Sequence, residues 1–137
     1  MNVKVRAKRL LAVVALIAIS GSSFAFNVGS YYDLQRHVND VGENGAGARR
    51  VIDFYEQGLS EAFQLVAGMN ENKISFGGTP YICPPSADAI TRETVSAAIR
   101  RVIGSAENPK STSPEELHTL VVQPAVIGLS KLFPCDK

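Results

Sequence analysis

The two cysteines are the residues with the clearest chemistry in this 137-residue chain. Cys83 and Cys135 are the only cysteines, no Cys-x-x-Cys motif is present, and neither has a histidine close to it in the sequence. A metal site or a catalytic thiol is therefore less favoured for this pair than a disulfide. In a secreted protein an even number of cysteines favours a disulfide, and one that closes about 52 residues would stabilise the fold by about 4 kcal/mol. We expect a structural bridge.

Sequence patterns of catalytic sites are otherwise missing. His37 and His118 are the only histidines, and they form no His-x-x-x-His motif, so both are expected at the surface. No serine lies in a Gly-x-Ser-x-Gly motif. The glycine-rich segment 42–47 lacks the Gly-Lys-Ser/Thr ending of a phosphate-binding loop, and no strand is predicted before it.

Three carboxylates, Asp53, Glu56 and Glu61, fall within the strongest predicted helix. No partner carboxylate for a glycosidase pair is apparent, so we expect all three on the solvated face of that helix. The absence of a catalytic constellation favours a binding protein over an enzyme, with no cofactor and no metal.

The first 25 residues have the three parts of a secretory signal peptide. Four basic residues lie within the first nine positions, residues 10–19 are all apolar, and Ser23 and Ala25 supply small residues before a cleavage point. Ten apolar residues span only about 15 Å as a helix, about half of a bilayer core, which disfavours a membrane anchor. We expect cleavage, a bacterial periplasmic product without a membrane segment, and a single domain over residues 26–137.

The charge of the expected mature domain disfavours nucleic-acid binding. The whole chain has 14 Lys plus Arg against 13 Asp plus Glu. Without the four basic residues of the leader, ten basic residues face 13 acidic ones. A mildly acidic domain lacks the basic face that displaces counterions from a phosphate backbone.

Apolar periodicity predicts an all-α domain, a small bundle of about four helices with one disulfide. The first helix is expected to begin at Ser30 as N-cap and to end before the glycines of segment 42–47. The second runs from about Ala48 to Met69. Gly58 lies inside it and costs about 1 kcal/mol relative to alanine, and we favour close packing of another element as the reason for this glycine.

The second half of the chain predicts two more helices. Thr91 is a suitable N-cap and Gly104 a suitable stop for the third helix. The fourth begins with the capping sequence of residues 113–116, Ser-Pro-Glu-Glu. Because proline inside a helix removes a hydrogen bond and clashes with the preceding turn, Pro124 is expected to kink or split this helix near residues 120–123.

Residues 70–85 are not expected to be helical, since they contain two glycines and three prolines. Ile74 and Phe76 are apolar residues in this connection, and they fit a short strand, a hairpin arm or an exposed contact. Connections of this length in compact domains are often functional, although an ordinary surface connection anchored by Cys83 is an equal alternative.

A set of short motifs in the last 90 residues carries a family resemblance. They are Phe54-Tyr55-x-x-Gly58, Glu61-Ala62-Phe63, Ile82-Cys83-x-Pro85, the Thr91 cap, Asn108-Pro109 and Phe133-Pro134-Cys135. With these motifs, residues 48–137 resemble the periplasmic immunity proteins of type VI secretion systems, the resistance-associated and type VI amidase immunity (Tai-like) family. The Cys-x-Pro motif and the terminal Phe-Pro-Cys are the most specific part.

The resemblance implies a non-catalytic helical protein that binds a secreted cell-wall hydrolase effector in the periplasm and blocks its substrate cleft. It also implies that the protein often acts as a homodimer. We expect the connection after the second helix to contact the partner, with Phe76 as the apolar anchor. The expected partner-binding residues are Asn70, Asn72, Lys73, Phe76, Gly77 and Gly78.

One alternative class fits the same size, export and cysteine count. A periplasmic acid-stress chaperone is also small, helical and held by one disulfide, and it exposes apolar surface at low pH to hold unfolded clients. The Phe-Pro-Cys ending is not part of that pattern. Suppression of client aggregation at low pH distinguishes the two classes.

Overall fold

The computed structural model describes residues 26–136, and the predicted signal peptide lies outside the described residues. The described chain is mainly helical with a small antiparallel two-stranded sheet, so the all-α prediction is correct only in its helical part. The elements are α1 (Val28–His37), α2 (Glu43–Met69), β1 (Ile74–Phe76), β2 (Thr79–Ile82), a 3₁₀ turn (Ala87–Ala89), α3 (Arg92–Ile103), α4 (Pro114–His118) and α5 (Val122–Leu132).

Helix α1 begins earlier than its sequence predicts. Asn27, not Ser30, is the N-cap, and its side-chain oxygen accepts the Ser30 N–H at 2.9 Å. Tyr31 and Tyr32 are buried on the inner face of this helix. The Tyr32 hydroxyl donates to the carbonyl oxygen of Ile103, which joins α1 to the end of α3.

Helix α2 begins at Glu43, five residues before the predicted Ala48. Of the glycines that predicted a break, Gly42 is the N-cap, and Gly45 and Gly47 lie in the first turns of the helix. Gly45 is buried there, and a Cβ atom at this position would lie 2.9 Å from the carbonyl carbon of Asp40. The close approach of the preceding turn therefore requires a residue without a side chain.

Two predictions about the middle of α2 are wrong. Apart from the backbone of its own helix, no atom of residues 26–136 lies within 4 Å of a Cβ built on Gly58, so close packing of another described element does not explain that glycine. Glu56 is not on the solvated face, because only 2% of it is exposed. Its Oε1 atom accepts a hydrogen bond of 2.6 Å from the Tyr31 hydroxyl. Asp53 and Glu61 are exposed.

The boundaries of α3 and α4 follow their capping residues. Thr91 accepts the Thr94 N–H at 3.2 Å, and α3 stops at Gly104 as predicted. Ser113 and Glu116 form the reciprocal capping box, since each side chain accepts the backbone N–H of the other residue at 3.2 and 3.0 Å.

The fourth predicted helix is split, as Pro124 indicated. Helix α4 ends at His118 and α5 starts at Val122, which places Pro124 in the first turn of α5. A first-turn residue has no helical acceptor for its N–H, so proline is tolerated there. Two backbone hydrogen bonds join this junction to the first described residues. The N–H of Val121 donates to the carbonyl oxygen of Phe26 at 3.0 Å, and the N–H of Val28 donates to the carbonyl oxygen of Thr119 at 2.9 Å. The split thus ties the start of the domain to the junction of α4 and α5.

Helices α3 and α5 form the tightest contact of the core. Ala98 and Leu129 are fully buried, and Gly128 lies directly against the backbone of α3. A Cβ atom at Gly128 would overlap the Ala98 carbonyl group and lie 2.7 Å from the Ala98 Cα atom. The absence of a side chain at Gly128 is therefore a condition for this helix pair.

We predict that Gly128→Ala lowers the free energy of unfolding by about 2 kcal/mol or more, because overpacking of a filled core has this order of cost. Gly58→Ala is the matched control, since its methyl group would meet no atom within 4 Å, and it should raise the free energy of unfolding by about 0.5–1 kcal/mol. Urea unfolding of both variants checks the contrast. Equal stability of Gly128→Ala and wild type would contradict the backbone contact.

The buried Tyr31 predicts a loss of stability in alkaline solution. Burial, and then the hydrogen bond to Glu56, raise the pKa of Tyr31 in the folded protein, whereas an unfolded tyrosine titrates near about pH 10. The folded state therefore holds this proton more tightly, and the stabilisation is complete below about pH 10 and lost as the pH rises above it. Tyr31→Phe should reduce the slope of unfolding free energy against pH in that range. An unchanged slope would contradict the assignment.

Candidate binding site

The connection after α2 folds into a β-hairpin with a two-residue turn. Phe76 pairs with Thr79 across the turn, and Ile74 pairs with Ile82 at the other end. Gly77 and Gly78 have φ angles of +60° and +81°. A two-residue hairpin turn with both φ values positive matches the twist of the strands and favours glycine at both positions.

The hairpin separates a buried end from an exposed end. Ile74 and Ile82 are buried in the core, whereas Phe76 and Tyr81 are 50% and 44% exposed. The strand register is irregular between Ile74 and Ser75, which lets side chains two positions apart differ in their burial. The rings of Phe76 and Tyr81 pack edge to face with centroids 5.7 Å apart.

An open apolar groove runs between this aromatic pair and α5. We call it the hairpin groove, and its volume is about 520 Å³. Its lining residues are Phe76, Tyr81, Val122, Gln123, Val126 and Ile127. Gln123 is the one amide among them, and the others are aliphatic or aromatic. A surface of this kind can hold an apolar side chain or an apolar helix face of a partner, and it has no group suited to catalysis.

The predicted disulfide between Cys83 and Cys135 is present and clamps the two sides of the groove. Its Cα atoms lie 5.0 Å apart. Cys83 follows directly after β2, and Cys135 lies three residues beyond the end of α5. The Cys83 N–H also donates to the carbonyl oxygen of Phe133 at 2.9 Å. One covalent bond and one hydrogen bond therefore fix the hairpin relative to the helix.

The structure separates the predicted partner-binding residues into two groups. Phe76 lines the hairpin groove, and Gly77 and Gly78 form the adjacent turn. Asn70, Asn72 and Lys73 lie instead where α2 joins β1, and none of the three lines the groove.

Asn70 and Asn72 have structural contacts at the end of α2. The Asn70 side-chain amide donates to the carbonyl oxygen of Val66 at 2.7 Å. The Asn72 N–H donates to Ala67 at 2.8 Å, with a positive φ of 60° that asparagine tolerates better than most residues. These contacts end the helix and give both asparagines a structural role.

Sequence reasoning missed five of the six groove residues. They are Tyr81, Val122, Gln123, Val126 and Ile127. Val122 and Val126 are spaced i, i+4 and share a helix face, which a wheel of α5 would have shown. Their proximity to the hairpin depends on the tertiary fold, and no local spacing in the sequence indicates it.

Comparisons with protein-family models, curated proteins and solved structures returned no match. Within residues 26–136, no helix combines the length and apolar character needed to cross a bilayer. The same part of the chain contains no cluster of three or more His, Cys, Asp or Glu side chains arranged to hold a metal ion. His37 and His118 are both exposed, and His37 contacts Asp40 at 2.7 Å.

The disulfide predicts a large redox-dependent difference in stability. Cys83→Ser or Cys135→Ser should lower the free energy of unfolding by about 4 kcal/mol, because the unfolded chain regains the entropy of a loop closed by residues 52 apart. Urea unfolding with and without a reductant checks this value. The double serine variant should not respond to the reductant, whereas the wild type should lose stability. Identical curves for all proteins would contradict a structural bridge.

Proposed function

We propose that this protein is a periplasmic immunity protein that binds a secreted peptidoglycan hydrolase, an amidase, and inhibits it by occluding its active site. The observation that carries the proposal is the half-exposed pair of Phe76 and Tyr81 on a hairpin that a disulfide holds against α5. The resemblance of residues 48–137 to Tai-like immunity proteins supplies the class of partner.

The shape of the hairpin suits the occlusion of a cleft. Substrate sites of hydrolases are concave, and a two-residue turn with an aromatic pair beside it is a narrow convex feature. Aromatic side chains at the centre of an interface supply a large part of the binding energy. The edge-to-face packing of Phe76 and Tyr81 orders both rings before binding, so little side-chain entropy remains to be lost.

An occluding protein needs affinity and slow release rather than chemistry. Differences in affinity between related complexes lie mostly in their dissociation rates. The Cys83–Cys135 bridge fixes the hairpin to α5, so the hairpin cannot swing away from the helix. This closes one route by which the complex could dissociate quickly. The bridge therefore supports the proposed function as well as the fold.

We predict that Phe76→Ala weakens binding to the cognate amidase at least about 30-fold, the effect of a hot-spot residue worth about 2 kcal/mol. Because half of the Phe76 side chain is already exposed, the variant should retain the wild-type fold. Phe54→Ala is the matched control, since Phe54 is 73% exposed on α2 and does not line the groove. Calorimetric titration of the amidase with each variant measures the difference.

A lysis assay tests the function itself. Cells that export the amidase to the periplasm should survive when they also export the wild-type protein or Phe54→Ala, and they should lyse with Phe76→Ala. If the wild type neither binds nor protects against any exported amidase tested, including any that a neighbouring gene encodes, the immunity role is contradicted. Suppression of client aggregation at pH 2 by the same preparation would instead support the chaperone class.

A further inference from the structure

The outer face of α2 has an apolar stripe that no other element of residues 26–136 covers. Phe54, Leu65 and Met69 are 73%, 65% and 76% exposed. Outside the backbone of the helix itself, a Cβ built on Gly58 would meet no described atom within 4 Å. We call this surface the α2 stripe, and define it by Val51, Phe54, Gly58, Ala62, Leu65 and Met69. None of these residues lines the hairpin groove.

The α2 stripe is one continuous surface. Its members follow one another at intervals of three or four residues, which keeps them on the same side of the helix. Their exposed fractions correspond to about 500 Å² of open apolar surface, in the range of the largest apolar patch on a typical soluble monomer. Patches of this size are often functional, and the interior of this protein does not use this one.

The sizes of the side chains make the α2 stripe complementary to itself. In a two-fold contact between antiparallel helices, a residue before the axis faces the residue that lies equally far after it in the other copy. With the axis at Gly58, the facing pairs are Phe54 with Ala62, Val51 with Leu65, and Gly47 with Met69. The two longest side chains thus face residues that have at most a methyl group. Glycine at the axis lets the two helix backbones approach closely.

The charges beside the α2 stripe agree with the same axis. Arg50 and Glu61 are exposed along one edge of the stripe, and a two-fold axis brings this edge of both copies together. At 1.5 Å per residue along the helix, Arg50 lies about 8 Å from Glu61 of the second copy. The two arginines are about 24 Å apart and the two glutamates about 9 Å. Each carboxylate therefore has an opposite charge nearer than the like charge, which favours this arrangement.

The area suffices for a specific contact. Two copies of the stripe supply about 1,000 Å² of apolar surface, and specific interfaces begin at about 1,200 Å² with their polar rim included. We propose that the α2 stripe is the interface of a two-fold dimer, in which α2 of one copy packs antiparallel on α2 of a second copy across Gly58. The interface does not depend on the immunity role, because it uses none of the hairpin residues.

Sedimentation equilibrium of the protein purified from cells that express the full chain measures the association. We expect a dimer with a dissociation constant below about 100 µM, as suits an interface at the lower end of the specific sizes. Leu65→Glu places a carboxylate against Val51 of the second copy and should weaken the dimer at least tenfold. Ala97→Glu is the matched control, since it adds the same charge at an exposed position of α3 and should leave association unchanged.

Cysteine cross-linking tests the position of the axis. Gly58→Cys places a thiol where each copy meets its own equivalent, so oxidised glutathione should join two copies through a disulfide. Gln57→Cys is the matched control, because the next residue of a helix points about 100° away from the stripe. Cross-linking through position 58 should be at least tenfold faster. Equal rates for the two variants would contradict the axis at Gly58.

The remaining outcomes separate this interface from the hairpin groove. A protein that stays monomeric up to about 1 mM, or a dimer that Leu65→Glu does not weaken, overturns the proposal. Phe54→Ala should weaken the dimer and still bind the amidase like the wild type, because the α2 stripe and the groove share no residue. Circular dichroism of each variant checks the fold. Urea unfolding of Gly58→Ala is measured in dilute solution, where the copies are apart.

Discussion

The direct backbone contact between Gly128 of α5 and Ala98 of α3 is the constraint on which the hairpin groove depends. Helix α5 supplies one wall of the groove, and α3 packs directly against α5. A methyl group at the contact would move the two helices apart, because a filled core does not compress. The position of this groove wall therefore depends on the absence of a side chain at Gly128.

The disulfide and the core packing hold different parts of α5. Gly128 and Leu129 fix the middle of the helix by burial, whereas Cys135 fixes the chain just beyond its end. The hairpin has only Ile74 and Ile82 in the core, and a two-stranded sheet is marginal by itself. Cross-linking the end of β2 to the end of α5 gives the hairpin the rigidity that its few buried side chains do not provide.

Local features of the fold were predictable from the sequence, and long-range ones were not. The Thr91 cap, the capping box at Ser113 and the break at Pro124 depend on neighbouring residues, and the structure has all three. Position 45 is a glycine inside α2 because the turn before the helix approaches it closely, which composition alone does not reveal. Glu56 is buried because Tyr31, 25 residues away, satisfies one of its oxygens. In the hairpin groove, Phe76 could be predicted because it is an apolar residue in a polar connection. The helix face opposite it could not be predicted, because its proximity to the hairpin depends on the tertiary fold.

An exposed aromatic hairpin risks edge-to-edge association, and Pro80 in β2 reduces that risk. Both strands are short and have a free edge, where unpaired backbone groups are a template for another strand. Pro80 pairs with Ser75 and has no N–H to offer a further strand. The hairpin is therefore poorly suited to extending a sheet with another chain. Under the proposed function, recognition through it would use the side chains of Phe76 and Tyr81, which favours a partner with a shaped cavity over one with an open strand.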